Sequence, residues 1–277
     1  MVSIVIPSRN NEERIGRTLA AFFAQNRHDI EVVSCDDNST DRTRAILDYY
    51  PEVKQLRMPP GRHFPGELLN HAIPECRGEI IVINHADACP LDAEYLGNLI
   101  RPLEENPGIA ASFARQEARS DAPFALRSSI ARKFAAETPP FSLAGAAIRR
   151  NWAEQQPFST NLPLAFSLEW EKRLRAAGGR IVPVPDARLE YSPPVDWSNL
   201  REYSRLLGAS RARAVGESFS GRTFLHRCLA ETRADLRLAG AWHNLGALPE
   251  ILLWRLIEYY AYFRGNRAAQ AQGNITC

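Results

Sequence analysis

Val2-Ser3-Ile4-Val5-Ile6-Pro7-Ser8-Arg9-Asn10 and Glu31-Val32-Val33-Ser34-Cys35-Asp36-Asp37-Asn38-Ser39-Thr40 are two short β-branched runs, and each ends abruptly in polar residues before a helical pattern opens. Parallel strands deliver side chains to a site at their C-terminal ends in this way. The acidic pair Asp36-Asp37 falls at such an end. Carboxylates placed there can accept hydrogen bonds from a nucleobase imide or from ribose hydroxyls, the polar groups an open α/β crevice holds.

Outward from these runs the chain keeps a strand and helix rhythm. Helices are predicted over 12–25, with Ile15, Leu19, Phe22 and Phe23 on one side, over 40–50 and over 64–75, and Val53 to Arg57 reads as a short strand. The continuous apolar run Gly78-Glu79-Ile80-Ile81-Val82-Ile83-Asn84 suits a central strand covered on both faces. Leu96, Leu99, Ile100 and Leu103 recur at helical spacing, and Ile109 to Arg115 follows as another strand. This alternation predicts right-handed crossovers and a mostly parallel sheet flanked by helices. Residues 116–165 mix Pro, Ser and Ala and read as loop-rich. A helix from Leu168 to Ala177 breaks at Gly178-Gly179, and Ile181 to Pro185 reads as an edge strand, where proline is tolerated. Residues 198–264 are helical and Arg-rich, broken between Gly216 and Gly221.

With 277 residues, 45% hydrophobic and 24% charged, the chain can bury one large core plus a smaller appendage. A net charge of +2 gives no case for nucleic acid as a partner. Cys35, Cys76, Cys89, Cys228 and Cys277 are odd in number, scattered, and never in C-x-x-C spacing, so they read as reduced thiols in a cytoplasmic protein. The chain opens directly on a strand with no basic segment and long apolar core, so no signal peptide is expected. Asn274-Ile275-Thr276 is a formal glycosylation sequon of little weight in that setting. There is no Gly-x-Gly-x-x-Gly after the first strand, no Gly-x-x-x-x-Gly-Lys and no Gly-x-Ser-x-Gly, which leaves dinucleotide oxidoreductase, P-loop and α/β-hydrolase readings without their signatures. A nucleotidyltransferase would want a glycine-rich basic loop where this chain has Ser8-Arg9-Asn10-Asn11.

The end of the central strand, Asn84-His85-Ala86-Asp87-Ala88-Cys89-Pro90, is a third informative stretch. A carboxylate there can bind a divalent cation, Mn or Mg, that neutralises a diphosphate, and Asp87 is the metal candidate. The plain alternative is a strand-end Asp capping the next helix. Together with His63-Phe64-Pro65-Gly66, Asn70, Pro90 and Ala114-Arg115-Gln116, these stretches resemble family 2 glycosyltransferases, and within them the rhamnosyltransferase-like branch. The similarity covers roughly residues 2–192. It implies a GT-A fold over 1–195, with a nucleotide-sugar half at about 1–115 and an acceptor half at about 116–195, followed by a helical region over 196–277. It further implies a UDP- or dTDP-linked sugar donor, a glycan or lipid-linked acceptor, inversion at the anomeric carbon, and a role in bacterial surface polysaccharide assembly. By that resemblance Pro7, Arg9, Asn10, Glu12, Asp36 and Asp37 line the base and ribose, Asn70 and His85 lie near the diphosphate, and Asp87 holds the metal.

Arg9 stands where an aromatic residue is common in the family, which turns base stacking into guanidinium stacking, and the chain departs from the family's catalytic pattern at three further places. His85 stands where the first Asp of Asp-x-Asp belongs, Tyr191 where a His assists the metal or diphosphate, and Phe166-Ser167 where a Glu-Asp pair opens the helix Leu168-Glu169-Trp170-Glu171-Lys172-Arg173-Leu174. A serine without a partner is no general base at neutral pH. Glu169 and Glu171 are therefore the candidate bases, the plain alternative for both being a solvated helix face. A degenerate homologue that binds or assembles without catalysis is the competing function.

Arg201, Arg205, Arg211, Arg213, Arg222, Arg227, Arg233 and Arg237 outnumber the neighbouring acids, and the segment ending at Phe263 presents Leu252, Leu253, Trp254, Leu256, Ile257, Tyr259 and Tyr260. Glu250, Arg255 and Glu258 make this segment amphipathic and not membrane-spanning. Such a region suits peripheral contact with the inner face of an anionic membrane, or packing on the catalytic domain or in a homodimer.

Overall fold

The two opening runs pair side by side. In the computed structural model, which describes residues 1–241 and 245–273, β1 (Val2–Ser8) lies parallel to β2 (Ile30–Asp36) on one side and to β4 (Ile80–Ile83) on the other, and β3 (Val53–Arg57) continues the sheet beyond β2. The register places Ser8 opposite Asp36 and Val5 opposite both Val33 and Ile83, so the polar ends of β1 and β2 come out level. Ile4, Val5 and Ile6 are all fully buried, because a strand with helices on both faces has no solvent side to alternate toward. The sequon Asn274-Ile275-Thr276 and Cys277 lie outside the described residues.

The sheet has eight strands. With β5 (Cys89–Pro90), β6 (Ile109–Glu117), β7 (Ala146–Arg149) and β8 (Arg180–Glu190), the order is β3-β2-β1-β4-β7-β6-β8-β5. The first four strands are parallel, and β7 enters antiparallel to both β4 and β6. Residues 116–165, read as loops, thus contain a sheet strand and two helices, α5 (Phe124–Phe134) and α6 (Arg150–Gln155). Ala146-Ala147-Ile148-Arg149 is too short and too rich in alanine to announce a strand by periodicity. β8 is also longer than expected. It has β5 as a neighbour only at Leu189 and Glu190, which leaves its Pro183 and Pro185 stretch unpaired on that side.

The remaining helices are α1 (Ile15–Phe23), α2 (Thr43–Leu47), α3 (Pro65–Ala72), α4 (Tyr95–Glu105), α7 (Phe166–Ala176), α8 (Leu200–Val215), α9 (Gly221–Ala241) and α10 (Leu248–Gly273). Ile15, Leu19 and Phe22 of α1 and Leu96, Leu99, Ile100 and Leu103 of α4 bury the stripes that their spacing predicts. Phe23 instead stays at the surface, stacked on Tyr50. Cys35 and Cys76 are buried free thiols whose burial pushes their pKa up to about 11, so both are inert packing residues.

Two compact units divide the chain. Met1–Gln116, Thr138–Asn161 and Phe166–Tyr191 form the sheet unit, and Glu117–Glu137, Leu162–Ala165 and the residues from Ser192 onward form a helical unit that takes in α5. Inside the helical unit, Phe124, Ala239, Ala247 and Ile251 make one apolar cluster and Ala125, Val195, Leu200 and Trp254 another. Between α5, α9 and α10 lies a polar core. Arg255 is 1% exposed and donates to both Asp235 oxygens, to Ser129 Oγ and to the Ala125 carbonyl, while Ser128 and Arg132 complete the Asp235 shell. α8 meets α10 at small residues: a side chain on Gly208 would strike the Tyr262 carbonyl, and one on Gly265 the Arg205 carbonyl.

Candidate active site

The ends of β1 and β2 are tied together by the polar residues that follow them. Asn10 and Asn38 both take left-handed backbone, which asparagine tolerates better than most residues and which turns the chain sharply away from each strand. The Asn10 side-chain oxygen accepts from Thr40 N–H at 2.9 Å, and its own N–H donates to Ser39 Oγ at 3.0 Å. Glu12 Oε2 accepts from the backbone of Arg42 at 2.8 Å, and Glu12 N–H donates to Asp41 at 3.0 Å. Asp36 accepts from the backbone and hydroxyl of Ser39. Asn10, Glu12 and Asp36 thus spend side-chain oxygens on the loops that build the site. Pro7, half-buried, is the second-last residue of β1 and lies three residues before Asn10.

Asp37 is the charged centre of this end of the sheet. It is 3% exposed, accepts from Arg9 Nη1 at 2.8 Å and Asn38 Nδ2 at 3.3 Å, and faces His63 Nδ1 at 2.8 Å. Because a carboxylate only accepts, Nδ1 carries the proton in this pair. Burial disfavours the Asp37 charge, but the bonds from His63 and Arg9 outweigh it and hold the carboxyl below the ordinary carboxylate range. Arg9 is therefore first an ion-pair partner, with half its side chain left in solvent for a ligand. His63 joins the Asp37 cluster, a contact that spacing alone does not predict; its only signal in the sequence is its place in the stretch His63-Phe64-Pro65-Gly66.

Asn70 has a different position from a free diphosphate donor. Its carboxamide clamps Phe158, donating to the Phe158 carbonyl and accepting from its N–H, both at 2.8 Å. Gly66, one turn earlier on α3, lies so close to Ser159 that an added Cβ would come within 2.1 Å of its carbonyl oxygen. These motif residues dock α3 against the chain that precedes α7.

At the end of β4, the fully buried Asn84 fixes the turn that carries the other candidates. Its Nδ2 donates to the His85 carbonyl at 2.8 Å and the Ala88 carbonyl at 2.7 Å, and Ala88 N–H closes on His85 at 3.0 Å. His85 and Asp87 are held half-buried on this turn. His85 Nδ1 is 3.0 Å from the hydroxyl of Tyr191, with the rings edge to face at 5.1 Å. Two of the three departures from the family's catalytic pattern therefore touch each other. Burial pushes the His85 pKa down, and the neighbouring Asp87 carboxylate offsets part of that.

The residues here fit a divalent cation only as one shared with a ligand's phosphates. No group of three or more His, Cys, Asp or Glu that could hold a metal occurs among the described residues. With Nδ1 committed to Tyr191, His85 has Nε2 left, and Asp87 supplies a carboxylate. Such a cation would complete its shell from water and diphosphate, as magnesium and manganese sites on phosphate substrates do. An imidazole in the donor set shifts the preference toward manganese.

The candidate bases sit on α7. Glu169 is gripped at both oxygens by Arg173, at 2.6 and 2.9 Å, and Arg173 reaches on to the Pro157 carbonyl. Glu171 pairs with Arg175 at 2.9 Å through Oε1 alone. Phe166 is buried against Phe158 at the start of the helix. A cavity of about 500 Å³ opens elsewhere in the sheet unit, lined by Val2, Glu79, Ile80 and Arg149 at the starting ends of β1 and β4. Ligands of open α/β sheets bind at the opposite, carboxyl ends, where the Asp37 and Asp87 turns are.

Comparison with known proteins agrees with this geometry. A stretch of 131 residues, 44% of the chain, is 33% identical to a β-monoglucosyldiacylglycerol synthase of Synechocystis sp., and it spans only 26% of that relative's length. A mannosyltransferase of Pyrobaculum calidifontis, solved with GDP-Man and Mn2+, superposes with a TM-score of 0.64 at 22% identity, covering 99% of this chain and 86% of that one. TarS 1-349 of S. aureus, solved with UDP-GlcNAc, gives 0.60 at 17% identity over 98% and 92%. Both structural likenesses support the GT-A fold with its helical C-terminal part. Residues 3–158, more than half of the chain, match the family described as Glycosyl transferase family 2. The parallel strands that present Asp37 and Asp87, and the sequence that makes them, are those of a member of glycosyl transferase family 2.

Proposed function

We propose that the chain transfers a sugar from a nucleoside diphosphate donor, UDP- or dTDP-linked, to a glycan or lipid-linked acceptor, with inversion, in the assembly of a bacterial surface polysaccharide. The observation that carries this reading is the Asp37 cluster: a carboxylate kept ionised by His63 and Arg9 at the carboxyl ends of β1 and β2. Asp37 accepts from base or ribose, the Arg9 guanidinium covers the base, and His63 holds Asp37 in place beside them. The acceptor hydroxyl oxygen attacks the anomeric carbon as the bond to the diphosphate breaks, and the nucleoside diphosphate leaves with the electron pair. Asp87 and His85 would hold a manganese or magnesium ion, which when bound neutralises the leaving diphosphate. The acceptor proton needs a base, and Glu171 suits this better than Glu169, since Arg173 occupies both Glu169 oxygens. The stretches around His63, Asp87 and Gln116 support the rhamnosyltransferase-like branch.

A second reading rests on one specific observation. Phe166-Ser167 occupies the place of the acidic pair, and both nearby glutamates are in ion pairs. A non-catalytic binding or assembly subunit would look the same.

Calorimetric titration with UDP, dTDP and GDP, with and without manganese, tests both readings on the wild type, Asp37→Asn and Asp87→Ala. Binding that Asp37→Asn abolishes and that loses its manganese dependence in Asp87→Ala supports a donor site. Release of nucleotide from the corresponding sugar donor, lost in Glu171→Gln and kept in Glu169→Gln, supports transfer. Binding without any turnover favours the second reading, and no binding by any nucleotide overturns the first.

A further inference from the structure

The outer faces of α9 and α10 segregate charge. Every acid on the two helices points into the helical unit: Asp235 is bound by Arg255, Glu231 by Arg132, Glu258 by Arg255, and Glu250 accepts from the Phe124 N–H. Apart from the buried Arg255, their arginines all face outward. Along α9, Arg222, Leu225, Leu229, Arg233 and Arg237 are exposed and fall within about a third of the helix circumference. Along α10, the exposed side is Leu252, Leu253, Leu256 and Tyr260, continuing into Arg264 and Arg267. The four leucines on which this depends most, Leu225, Leu229, Leu252 and Leu256, are 59%, 56%, 56% and 52% exposed. Phe224, on the side of α9 opposite Leu229 and Arg233, lies against Tyr260 and Phe263 of α10, so the two helices pack on each other and each keeps its own outer stripe of leucine and arginine.

We infer that the helical unit docks on an anionic lipid bilayer through these outer stripes of α9 and α10, with the leucines entering the headgroup boundary and the arginines meeting lipid phosphates. Exposed leucine among arginine, without one outward acid among the described residues of either helix, matches an interfacial amphipathic surface in both its terms. A second copy of this chain is the poorer occupant, because a two-fold contact would set these arginine rows against each other. Nucleic acid would use the arginines and leave the leucines in water. No described helix is long and apolar enough to cross a membrane, so attachment through this surface would be peripheral.

Flotation of the full chain with vesicles tests this. The wild type should float with phosphatidylglycerol-rich vesicles and stay behind with pure phosphatidylcholine, and high salt should weaken the association. Arg233→Gln with Arg237→Gln should lower partitioning about twenty-fivefold, about fivefold per charge. Leu252→Ser with Leu256→Ser should lower it about tenfold or more while the chain stays folded with only a small drop in melting temperature, since both side chains are more than half exposed. The proposal is overturned if the wild type fails to float, if it floats equally on neutral and anionic vesicles, or if the folded variants float like the wild type. It is equally overturned if sedimentation equilibrium finds a dimer that the leucine variant dissolves.

Discussion

Asp37 is the residue on which a donor site stands or falls, and its contacts predict how. Replacing it with Asn keeps the shape but removes the charge that Arg9 and His63 bind. For a side chain this buried, lost bonds to a charged group cost about 1.5–3 kcal/mol. The pH dependence has a definite sign. The folded-state pKa is depressed below the ordinary 3.8, so the stabilisation is fully present above that value and is lost as pH falls through the lower folded pKa. The gap in melting temperature between wild type and Asp37→Asn should therefore hold constant from neutral pH downward and close only below about pH 4. A gap that closes between pH 7 and 5 would mean that the Asp37 carboxyl is not depressed. The carboxylate itself was legible in the sequence, because a β-branched run ending in Asp-Asp puts it at a strand tip. Its partner His63 was not, since no periodicity says which later loop folds back over a strand end. Nor did spacing show that Asn10, Glu12 and Asp36 would turn their oxygens toward neighbouring loops, because they carry the same acceptors whichever way they face.

At the scale of elements, β1 to β4 and their helices follow from runs with clear periodicity, whereas β7 and α5 lie in an alanine-rich stretch whose pattern is decided by what they pack against. The Gly66 and Asn70 motif illustrates the other limit: it was legible as a family signature, and only the fold gives it a mechanical reason, the docking of α3 on Phe158 and Ser159. Gly66→Ala should cost about 2–3 kcal/mol by overpacking against backbone, read as a lower denaturation midpoint with unchanged slope. Glycines inside helices allow a sharper comparison, since the same substitution should change sign with its surroundings. In α4, a Cβ on Gly97 would meet nothing within 4 Å, so Gly97→Ala should stabilise by up to about 1 kcal/mol from helix propensity. In α10, a Cβ on Gly265 would sit 1.9 Å from the Arg205 carbonyl oxygen. Overpacking of about 1–3 kcal/mol or more then opposes a gain of about 1, and Gly265→Ala should destabilise. If urea melts show both variants stabilised, the helices of the α8 and α10 crossing are further apart than described.

For the whole molecule, a net charge of +2 conceals an arrangement that composition cannot express, because summing over the chain cancels the inward acids of α9 and α10 against their outward arginines. The two surfaces that matter, the strand ends around Asp37 and the arginine and leucine face of α9 and α10, lie in different compact units, and their chemistry calls for different ligands. They should therefore respond separately in one assay. A nucleoside diphosphate bound only by the folded state, at about a hundred times its Kd, adds about 2.7 kcal/mol. For a chain of this size that raises Tm by roughly 5–10 °C. Asp37→Asn should abolish this rise and Asp87→Ala should remove only the part that needs manganese. Arg233→Gln with Arg237→Gln should leave the whole rise in place while losing vesicle binding. If the arginine variant also loses the nucleotide shift, the two functions are not separable, and the charge on α9 must act on the donor site itself. If no nucleotide moves the wild-type Tm while vesicles still bind, the chain keeps a docking surface without a working donor site, and the assembly role becomes the better account of a fold whose strand ends are otherwise intact.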